Sequence, residues 1–359
     1  MEKKTIVFSC LVIVLVFSSL IVQGAEIEEL KPSAAIELAR ENSLELQMAR
    51  LELDNAEIDY EKSKAQNAGD ESRYNELQTE LQIDQAEENF AGEEESLIIS
   101  VVEDYMQILS DTEDIEITEK QKDLQKKQLE ETKAQHEAGH VGNRELTETE
   151  HSYENIQNDL KYAQQELEHL KSKFKNRLGI DQETEIELIE IERPEVMERT
   201  KEEVISMIVE NNFGLEVDRR QVQLAEVELE RAEVSSVSSL DKKKLENDLK
   251  LAELNLEKNK QNIKDSAQSQ YNSFLRAADS MDMAEKSLAQ ERENFALAED
   301  RYEAEIVTEN QLLSSEIDLL EAENSYNEAI VNYLISELNL MQSMGLDLGR
   351  VYDEQLKEE

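Results

Sequence analysis

The chain has 359 residues, of which 84 are Asp or Glu and 38 are Lys or Arg, so its formal net charge is −46. A chain this acidic repels phosphate backbones, so we expect no nucleic-acid partner. With only 9 Gly and 2 Pro, it lacks the turn residues that an all-β fold needs. The Glu/Leu/Lys/Ala-rich composition favours long helices and coiled coils instead.

Residues 1–24 are predicted to form an export signal. Lys3 and Lys4 precede an apolar run over residues 6–22, and the small residue Gly24 follows it at a cleavage position. We expect cleavage after Gly24, with an uncleaved anchor as the alternative, because the run approaches bilayer-spanning length. Cys10 lies inside the run, so the mature chain is predicted to contain no disulfide. The sequence therefore predicts export to the envelope or cell surface, with membrane association only through this segment or through partners.

Apolar periodicity predicts six helices in the mature chain. They cover residues 33–65, 71–137, 144–178, 201–234, 240–304 and 309–344. A linker over residues 182–200 contains Pro194, and the apolar alternation of residues 186–191 is typical of a strand. The predicted fold class is therefore all-α, built from long antiparallel helical hairpins.

The fifth predicted helix carries an apolar stripe at heptad-like spacing. Its members are Leu245, Leu249, Leu256, Ile263, Ala267, Tyr271, Phe274, Ala278, Met281, Leu288, Phe295 and Tyr302. A helix of this length, roughly 95 Å, cannot bury such a stripe against itself. It needs neighbouring helices along its whole length, and this requirement favours a coiled-coil assembly over disorder.

The two halves of the chain resemble each other. Residues 36–46 match residues 205–215, and Gly179-Ile180-Asp181 matches Gly345-Leu346-Asp347. We therefore divide the chain into a first helical repeat over residues 25–181, the linker, a second repeat over residues 201–347, and an acidic tail over residues 348–359. The repeat predicts a duplicated helical hairpin.

These stretches carry a resemblance to the TolC-like outer-membrane efflux family. The matching segments are residues 35–46, 102–109, 138–141, 306–313, 322–329 and 344–347, in the order and spacing of the family. The resemblance implies a homotrimeric helical tunnel that works with an adaptor (membrane fusion) protein and an inner-membrane transporter. It places the chain in the outer membrane or periplasm.

By the same resemblance, two helix-end turns are expected to dock the adaptor. The docking residues are Gly139, His140, Val141, Gly142 and Asn143 in one turn, and Glu305, Ile306, Val307, Thr308 and Glu309 in the other. Glu305 stands where the family usually has a glycine. Family members also insert a β-hairpin in each half to form a membrane barrel, whereas residues 64–85 and 234–247 show no alternation here. We therefore expect tight helical turns at both places and a helical tunnel without the barrel.

A zinc-peptidase motif must be weighed against this interpretation. His136, Glu137 and His140 match H-E-x-x-H, in which two His one helical turn apart bind zinc. The motif falls where the helix is expected to end, with Gly139 and Gly142 on either side of His140, and the second repeat has no histidine at the matching place. We expect no enzymatic activity, no metal site and no cofactor.

Two further questions stay open at the sequence level. The acidic residues are spread along all helices, which favours salt adaptation over the lining of a cation-tolerant tunnel. The leading hypothesis is a component of an efflux or secretion conduit across the cell envelope. The alternative is an extracytoplasmic coiled-coil scaffold without transport activity.

Overall fold

A computed structural model describes residues 27–67, 73–189, 193–235 and 237–349. The predicted signal segment and most of the acidic tail lie outside these residues. The elements, in chain order, are β1 (Ile27–Leu30), α1 (Pro32–Asn42), α2 (Leu44–Asn67), α3 (Arg73–Glu137), α4 (Asn143–Leu178), β2 (Ile186–Leu188), α5 (Lys201–Asn211), α6 (Phe213–Val234), α7 (Ser239–Glu303) and α8 (Glu309–Ser343). None of the described helices is long and apolar enough to cross a membrane.

The helix lengths show the duplication directly. The helices α3 and α7 each have 65 residues, and α1 and α5 each have 11. The helices α4 and α8 have 36 and 35 residues. The predicted all-α hairpin fold with two internal repeats is therefore confirmed.

The prediction of a single helix over residues 33–65 and over residues 201–234 is wrong, because each of these ranges is broken into two helices. Ser43 and Asn212 adopt extended backbone conformations at the breaks. The Ser43 hydroxyl accepts the N–H of Leu46, and the Asn212 side chain accepts the N–H of Leu215, both at 3.0 Å. Each residue thus acts as an N-cap that starts a new helix.

Of the strand predicted over residues 186–191, residues 186–188 form β2, which pairs in parallel with β1, and residues 190–191 lie outside the described residues. At residues 64–85 and 234–247, the parts that the structure describes contain no strand. The helix α2 runs to Asn67 and α3 begins at Arg73, while α6 ends at Val234 and α7 begins at Ser239. The expectation of helical turns at these places agrees with the described residues.

The helices pack side by side, and the long helices α3 and α7 run through the whole layer. Towards the connection between α6 and α7 the order of neighbours is α2, α3, α6, α7, and towards the opposite end it is α4, α3, α8, α7. In the part of the layer towards the connection between α6 and α7, an ion-pair cluster joins the two repeats. Arg220 of α6 contacts Glu80 and Asp84 of α3 there. Each long helix therefore packs against different neighbours in its two halves.

The core lies midway along the long helices, where α1 and α5 pack against them. In the first repeat Tyr105 and Phe174 are fully buried and meet edge to face. In the second repeat Phe274 contacts both Tyr271 and Tyr333. The apolar stripe of α7 is buried only in this middle region, and Tyr302 near its end is 41% exposed. Burial of the remaining stripe is thus not achieved within one chain.

Equivalent hydrogen bonds hold both repeats together. The Tyr105 hydroxyl donates to the carbonyl of Leu30 at 2.7 Å, and the Tyr271 hydroxyl donates to the carbonyl of Arg199 at 2.9 Å. Leu30 and Arg199 each lie two residues before the first helix of their repeat. Burial raises the pKa of Tyr105 to about 12, despite the backbone N–H of Ile189 that its oxygen accepts. Both tyrosines are buried and structural, as the apolar stripe of the fifth predicted helix led us to expect for Tyr271.

A second equivalent pair, which we call the asparagine bridges, ties helix ends together. Asn42 at the end of α1 donates to the carbonyl of Leu178 at 3.1 Å, and Asn211 at the end of α5 donates to the carbonyl of Met344 at 2.7 Å. In each repeat the bridge lies against the glycine with positive φ that follows the accepting residue. The breaks after α1 and α5 thus fall where each asparagine meets the end of the fourth helix of its repeat.

Candidate docking turns at the helix ends

The first tip turn, residues 138–143, follows α3 and leads into α4. The N–H of Gly139 donates to the carbonyl of His136 at 2.9 Å, and the N–H of His140 donates to the carbonyl of Gln135 at 2.8 Å. Gly139 has φ +78°, the left-handed conformation that this Schellman pattern requires. Gly142 and Asn143 complete the turn, with Asn143 as the first residue of α4.

The H-E-x-x-H motif does not lie on one helix. Glu137 is the last residue of α3, and Gly139 turns the chain away from the helix before His140. The Nδ1 atom of His136 lies 3.0 Å from the carbonyl oxygen of Val141, a contact that closes the turn. Among the described residues, no group of three or more His, Cys, Asp or Glu side chains is placed to hold a metal ion. The zinc-peptidase arrangement is therefore not formed by these residues.

The second tip turn, residues 304–309, repeats the first in its hydrogen bonds. The N–H of Glu305 donates to the carbonyl of Tyr302 at 2.9 Å, and the N–H of Ile306 donates to that of Arg301 at 2.8 Å. Glu305 has φ +58°, and within the described ranges it is the one residue other than glycine that has a positive φ. Thr308 then starts α8 through a capping box with Gln311. The two turns therefore make the same backbone hydrogen bonds, although their side chains differ.

The two turns lie at the same end of the molecule. The Nζ atom of Lys127 in α3 is 2.6 Å from Oε1 of Glu309, and Asn310 donates to Glu131 at 2.7 Å. The second turn therefore lies beside the last turns of α3. Ile306 is 72% exposed, whereas Val141 and Val307 are half-buried in their own turns. The structure thus brings the predicted site residues together in two exposed turns at one end.

A polar contact between α3 and α8 joins the two hairpins behind these turns. Asn324 donates to Asp114 at 2.7 Å, and Asn327 donates to Glu113 at 2.6 Å. Desolvation raises the pKa of Asp114, with a smaller contribution from Asp111. This contact cannot be recognised in the sequence, because a polar residue on a helix ordinarily faces solvent.

No protein-family model matches the sequence, and no curated protein matches it. Solved structures do match in their fold. The chain is similar to CusC, a protein that folds to form a transmembrane channel. The two share 12% sequence identity and a TM-score of 0.59, over 88% of this chain and 92% of the other. The outer membrane protein VceC from Vibrio cholerae gives 13% identity and a TM-score of 0.58 over 88% and 96%.

A third structure, the CmeC outer membrane channel from Campylobacter jejuni, gives 11% identity and a TM-score of 0.57 over 88% of this chain and 85% of the other. These identities are too low to carry a function across, but the matched share is nearly complete in both directions. The resemblance first seen in the repeated sequence segments is thus confirmed in three dimensions: the chain has the helical fold of the TolC-like outer-membrane efflux channels.

Proposed function

We propose that copies of this chain assemble into a helical conduit of an efflux or secretion system in the cell envelope. The fold shared with outer membrane channels supports this function, and the observation that carries it is the pair of open edges of the helical layer. In the half that contains the connection between α6 and α7, α2 packs on α3 and α7 packs on α6. The outer sides of α2 and α7, which we call the α2 edge and the α7 edge, are exposed there.

The α2 edge is an apolar stripe. Its members are Leu44, Met48, Leu51 and Ile58, which are 68%, 62%, 62% and 52% exposed. Their spacing places them on one face of the helix, away from the buried Leu53 that packs inward. Four large apolar side chains in one exposed row indicate a surface that another protein covers.

The α7 edge offers a matching surface. Leu251 and Leu254 are 59% and 56% exposed on the outer side of α7. The two edges also differ in charge, since α2 carries six acidic and three basic residues, whereas residues 239–264 carry seven lysines and five acidic residues. Apolar contact and opposite charge together favour the α2 edge of one copy against the α7 edge of the next.

Contact between two different edges is head-to-tail, and repeated head-to-tail contacts close into a ring when the rotation permits. We infer a homotrimer, the number implied by the family resemblance. The ring would enclose a bore, and the two tip turns of each copy would form its docking end. We assign adaptor docking to residues 139–143 and 305–309, and through the adaptor we infer coupling to an inner-membrane transporter.

Edge variants test the assembly. Leu51→Glu or Leu254→Glu places a charge on an edge without touching the core, because both side chains are more than half exposed. We expect native mass spectrometry to show a trimer for the wild type and a folded monomer for either variant. The control is Gln223→Glu, which adds a negative charge at an exposed position of α6, a helix with neighbours on both sides, and should keep the trimer. A wild-type chain that is monomeric at micromolar concentration would rule the conduit out.

Tip variants test docking separately from assembly. Val141→Asp combined with Ile306→Asp should leave the trimer mass unchanged and abolish binding to a coexpressed adaptor protein of the same organism. Retained binding would exclude the turns as the docking site and leave the conduit proposal intact.

The scaffold alternative is favoured by one observation. The connection between α6 and α7 consists only of residues 235–238, so that end of the hairpin carries no inserted segment. Electron microscopy of the purified oligomer separates the two functions, since a conduit shows an open central bore and a scaffold shows a closed bundle.

A further inference from the structure

The most exposed apolar side chains of the described chain lie where α6 leads into α7. We define the α6–α7 turn as residues 234–235 and 237–240. Val234 is 89% exposed, Leu240 is 81% exposed, and Val237 between them is 41% exposed. This turn lies at the opposite end of α7 from the tip turns. It faces outward along the rod, where neither the α2 edge nor the α7 edge of another copy would cover it.

Local hydrogen bonds hold the described residues of the turn in a conformation that presents these side chains. The Ser235 hydroxyl donates to the carbonyl of Arg231 at 2.6 Å, and the N–H of Val237 donates to the carbonyl of Ser235 at 2.9 Å. The Ser238 side chain then caps α7 by accepting the N–H of Asp241. Val237 precedes that cap, where an apolar residue ordinarily packs against the fourth helical residue. Here the fourth residue is Lys242, so Val237 lacks that apolar contact.

Three consecutive lysines follow the apolar residues directly. Lys242 contacts Glu233 at 3.1 Å and Lys243 contacts Glu246 at 2.9 Å. Lys244 makes no ion pair with the residues that the structure describes, and its side chain is exposed. In a chain with a net charge of −46, a basic run beside the most exposed apolar residues is unexpected on composition alone.

We propose that the α6–α7 turn inserts into the surface of a lipid membrane that contains anionic headgroups. Apolar side chains that enter the interface, flanked by lysines that meet the phosphates, are the physical requirements for such binding. Glu233, Asp241 and Glu246 lie in the same stretch and balance the three lysines, so the apolar side chains of the turn carry the insertion. Lys244, which has no ion pair within the described residues, supplies the cation for a phosphate. Acidic residues further along the rod act weakly at the turn, because their field decays within about 8 Å at physiological ionic strength and the rod is roughly 95 Å long. In an oligomer several copies of the turn would act together and multiply the binding. This membrane contact would act in addition to the membrane association that we expect through the N-terminal segment or through partners.

The experiment places a reporter at the turn, because the N-terminal apolar run would itself bind vesicles. The chain contains no Trp, so Leu240→Trp and Leu254→Trp each create a single fluorophore. We call the first the turn reporter and the second, on the α7 edge, the edge reporter. Full-length protein is mixed with phosphatidylcholine vesicles with or without phosphatidylglycerol, at physiological salt. Quenching by brominated acyl chains then reports insertion at that residue only.

We expect brominated, anionic vesicles to shift the emission of the turn reporter to shorter wavelength and to quench it, and to leave the edge reporter unaffected. Changing Lys242, Lys243 and Lys244 to Gln should weaken vesicle-induced quenching of the turn reporter about fivefold per lysine removed. Unchanged emission of the turn reporter would overturn the proposal. So would equal quenching of both reporters, or a Val234→Ser, Val237→Ser double variant that lowers oligomer mass, which would assign the turn to a contact between copies.

Discussion

Glu305 adopts a left-handed backbone conformation that the equivalent turn of the first repeat gives to a glycine. Both turns make the same two hydrogen bonds, so the difference between Glu305 and Gly139 lies in the side chain alone. A side chain in this conformation crowds the following carbonyl, which costs roughly 1–2 kcal/mol. The second tip turn is therefore under backbone strain that the first avoids.

Glu305→Gly should accordingly stabilise the protein by about 1 kcal/mol, somewhat less than the strain because glycine adds freedom to the unfolded chain. Gly139→Ala should destabilise it by a similar amount, since it creates the same strain at φ +78°. Chemical denaturation of each variant measures the change. Gly92→Ala is the matched control, because Gly92 lies inside α3 with open space and an ordinary φ, and we expect this change to stabilise the helix slightly rather than to destabilise the protein. A Glu305→Gly protein that is less stable than the wild type would contradict this account.

Glu337 is a half-buried carboxyl in α8 whose Oε1 atom accepts a hydrogen bond from the Tyr333 hydroxyl at 2.8 Å. Desolvation raises the pKa of Glu337, and the hydrogen bond from Tyr333 only partly opposes that rise. The folded state therefore holds a proton more tightly than the unfolded state does. The protonated Glu337 therefore adds to the free energy of unfolding at pH values below the ordinary glutamate pKa. This contribution is lost as the pH rises through the raised pKa of Glu337 in the folded state.

Glu337→Gln should remove this pH dependence. At neutral pH we expect the variant to be more stable on the order of 1 kcal/mol, because the amide oxygen still accepts from Tyr333 without burying a charge. At pH 4 the two proteins should be nearly equal. Thermal unfolding at both pH values measures the difference, and a variant that is less stable at neutral pH would show that the ionised carboxylate is needed.

At the scale of elements, the asparagine bridges fix how the short and medium helices of each repeat meet. Each bridge uses the end of the first helix of a repeat to donate to the last carbonyls of the fourth. A Cβ atom added to Gly179 would lie only 2.5 Å from Cγ of Asn42, and one added to Gly345 would lie 2.7 Å from Cβ of Asn211. Only glycine permits this approach together with the positive φ.

Asn42→Ala should destabilise the protein by about 1–2 kcal/mol, because the carbonyl of Leu178 loses its side-chain donor. Gly179→Ala should cost more, about 3 kcal/mol, since it combines steric overlap with backbone strain. Denaturant titration measures both. Asn262→Ala, at an exposed position of α7, serves as the control for loss of an asparagine from a helix. If Asn42→Ala proved as stable as that control, the bridge would be shown to contribute nothing.

At the scale of the whole molecule, the net charge of −46 works against compactness. The ion pairs of the described residues are mostly exposed and contribute little each, so mutual repulsion among carboxylates dominates the electrostatic free energy. Salt shortens the range of this repulsion from about 10 Å at 0.1 M to about 3 Å at 1 M. The molecule should therefore be most stable in concentrated salt.

Raising the NaCl concentration from about 0.1 M to about 1 M should increase the thermal unfolding midpoint by several degrees for a chain of this size. Calorimetry measures the shift, and repeating it near pH 4.5, where many carboxylates are protonated, should reduce the shift. A midpoint that falls with salt would show that ion pairs such as Lys127–Glu309 outweigh the repulsion. The salt-adaptation interpretation of the acidic composition depends on this result.

The lengths of the two longest helices, the duplication and the positions of the tip turns follow from the sequence alone. Those features are local, because helical periodicity, a glycine at a helix end and a repeated segment are all legible along one chain. The predicted boundaries of the long helices therefore agree with α3 and α7 to within a few residues.

Which helix packs against which follows only from the folded chain. Periodicity shows that a helix has an apolar face but not which neighbour covers it, so the open α2 and α7 edges became visible only in three dimensions. The polar contact of Asn324 and Asn327 with α3 was hidden for the complementary reason, since a side chain that pairs across helices looks the same in sequence as one that meets water. The helix breaks at Ser43 and Asn212 likewise depend on a distant partner, because the asparagine before each cap reaches the end of the fourth helix of its repeat.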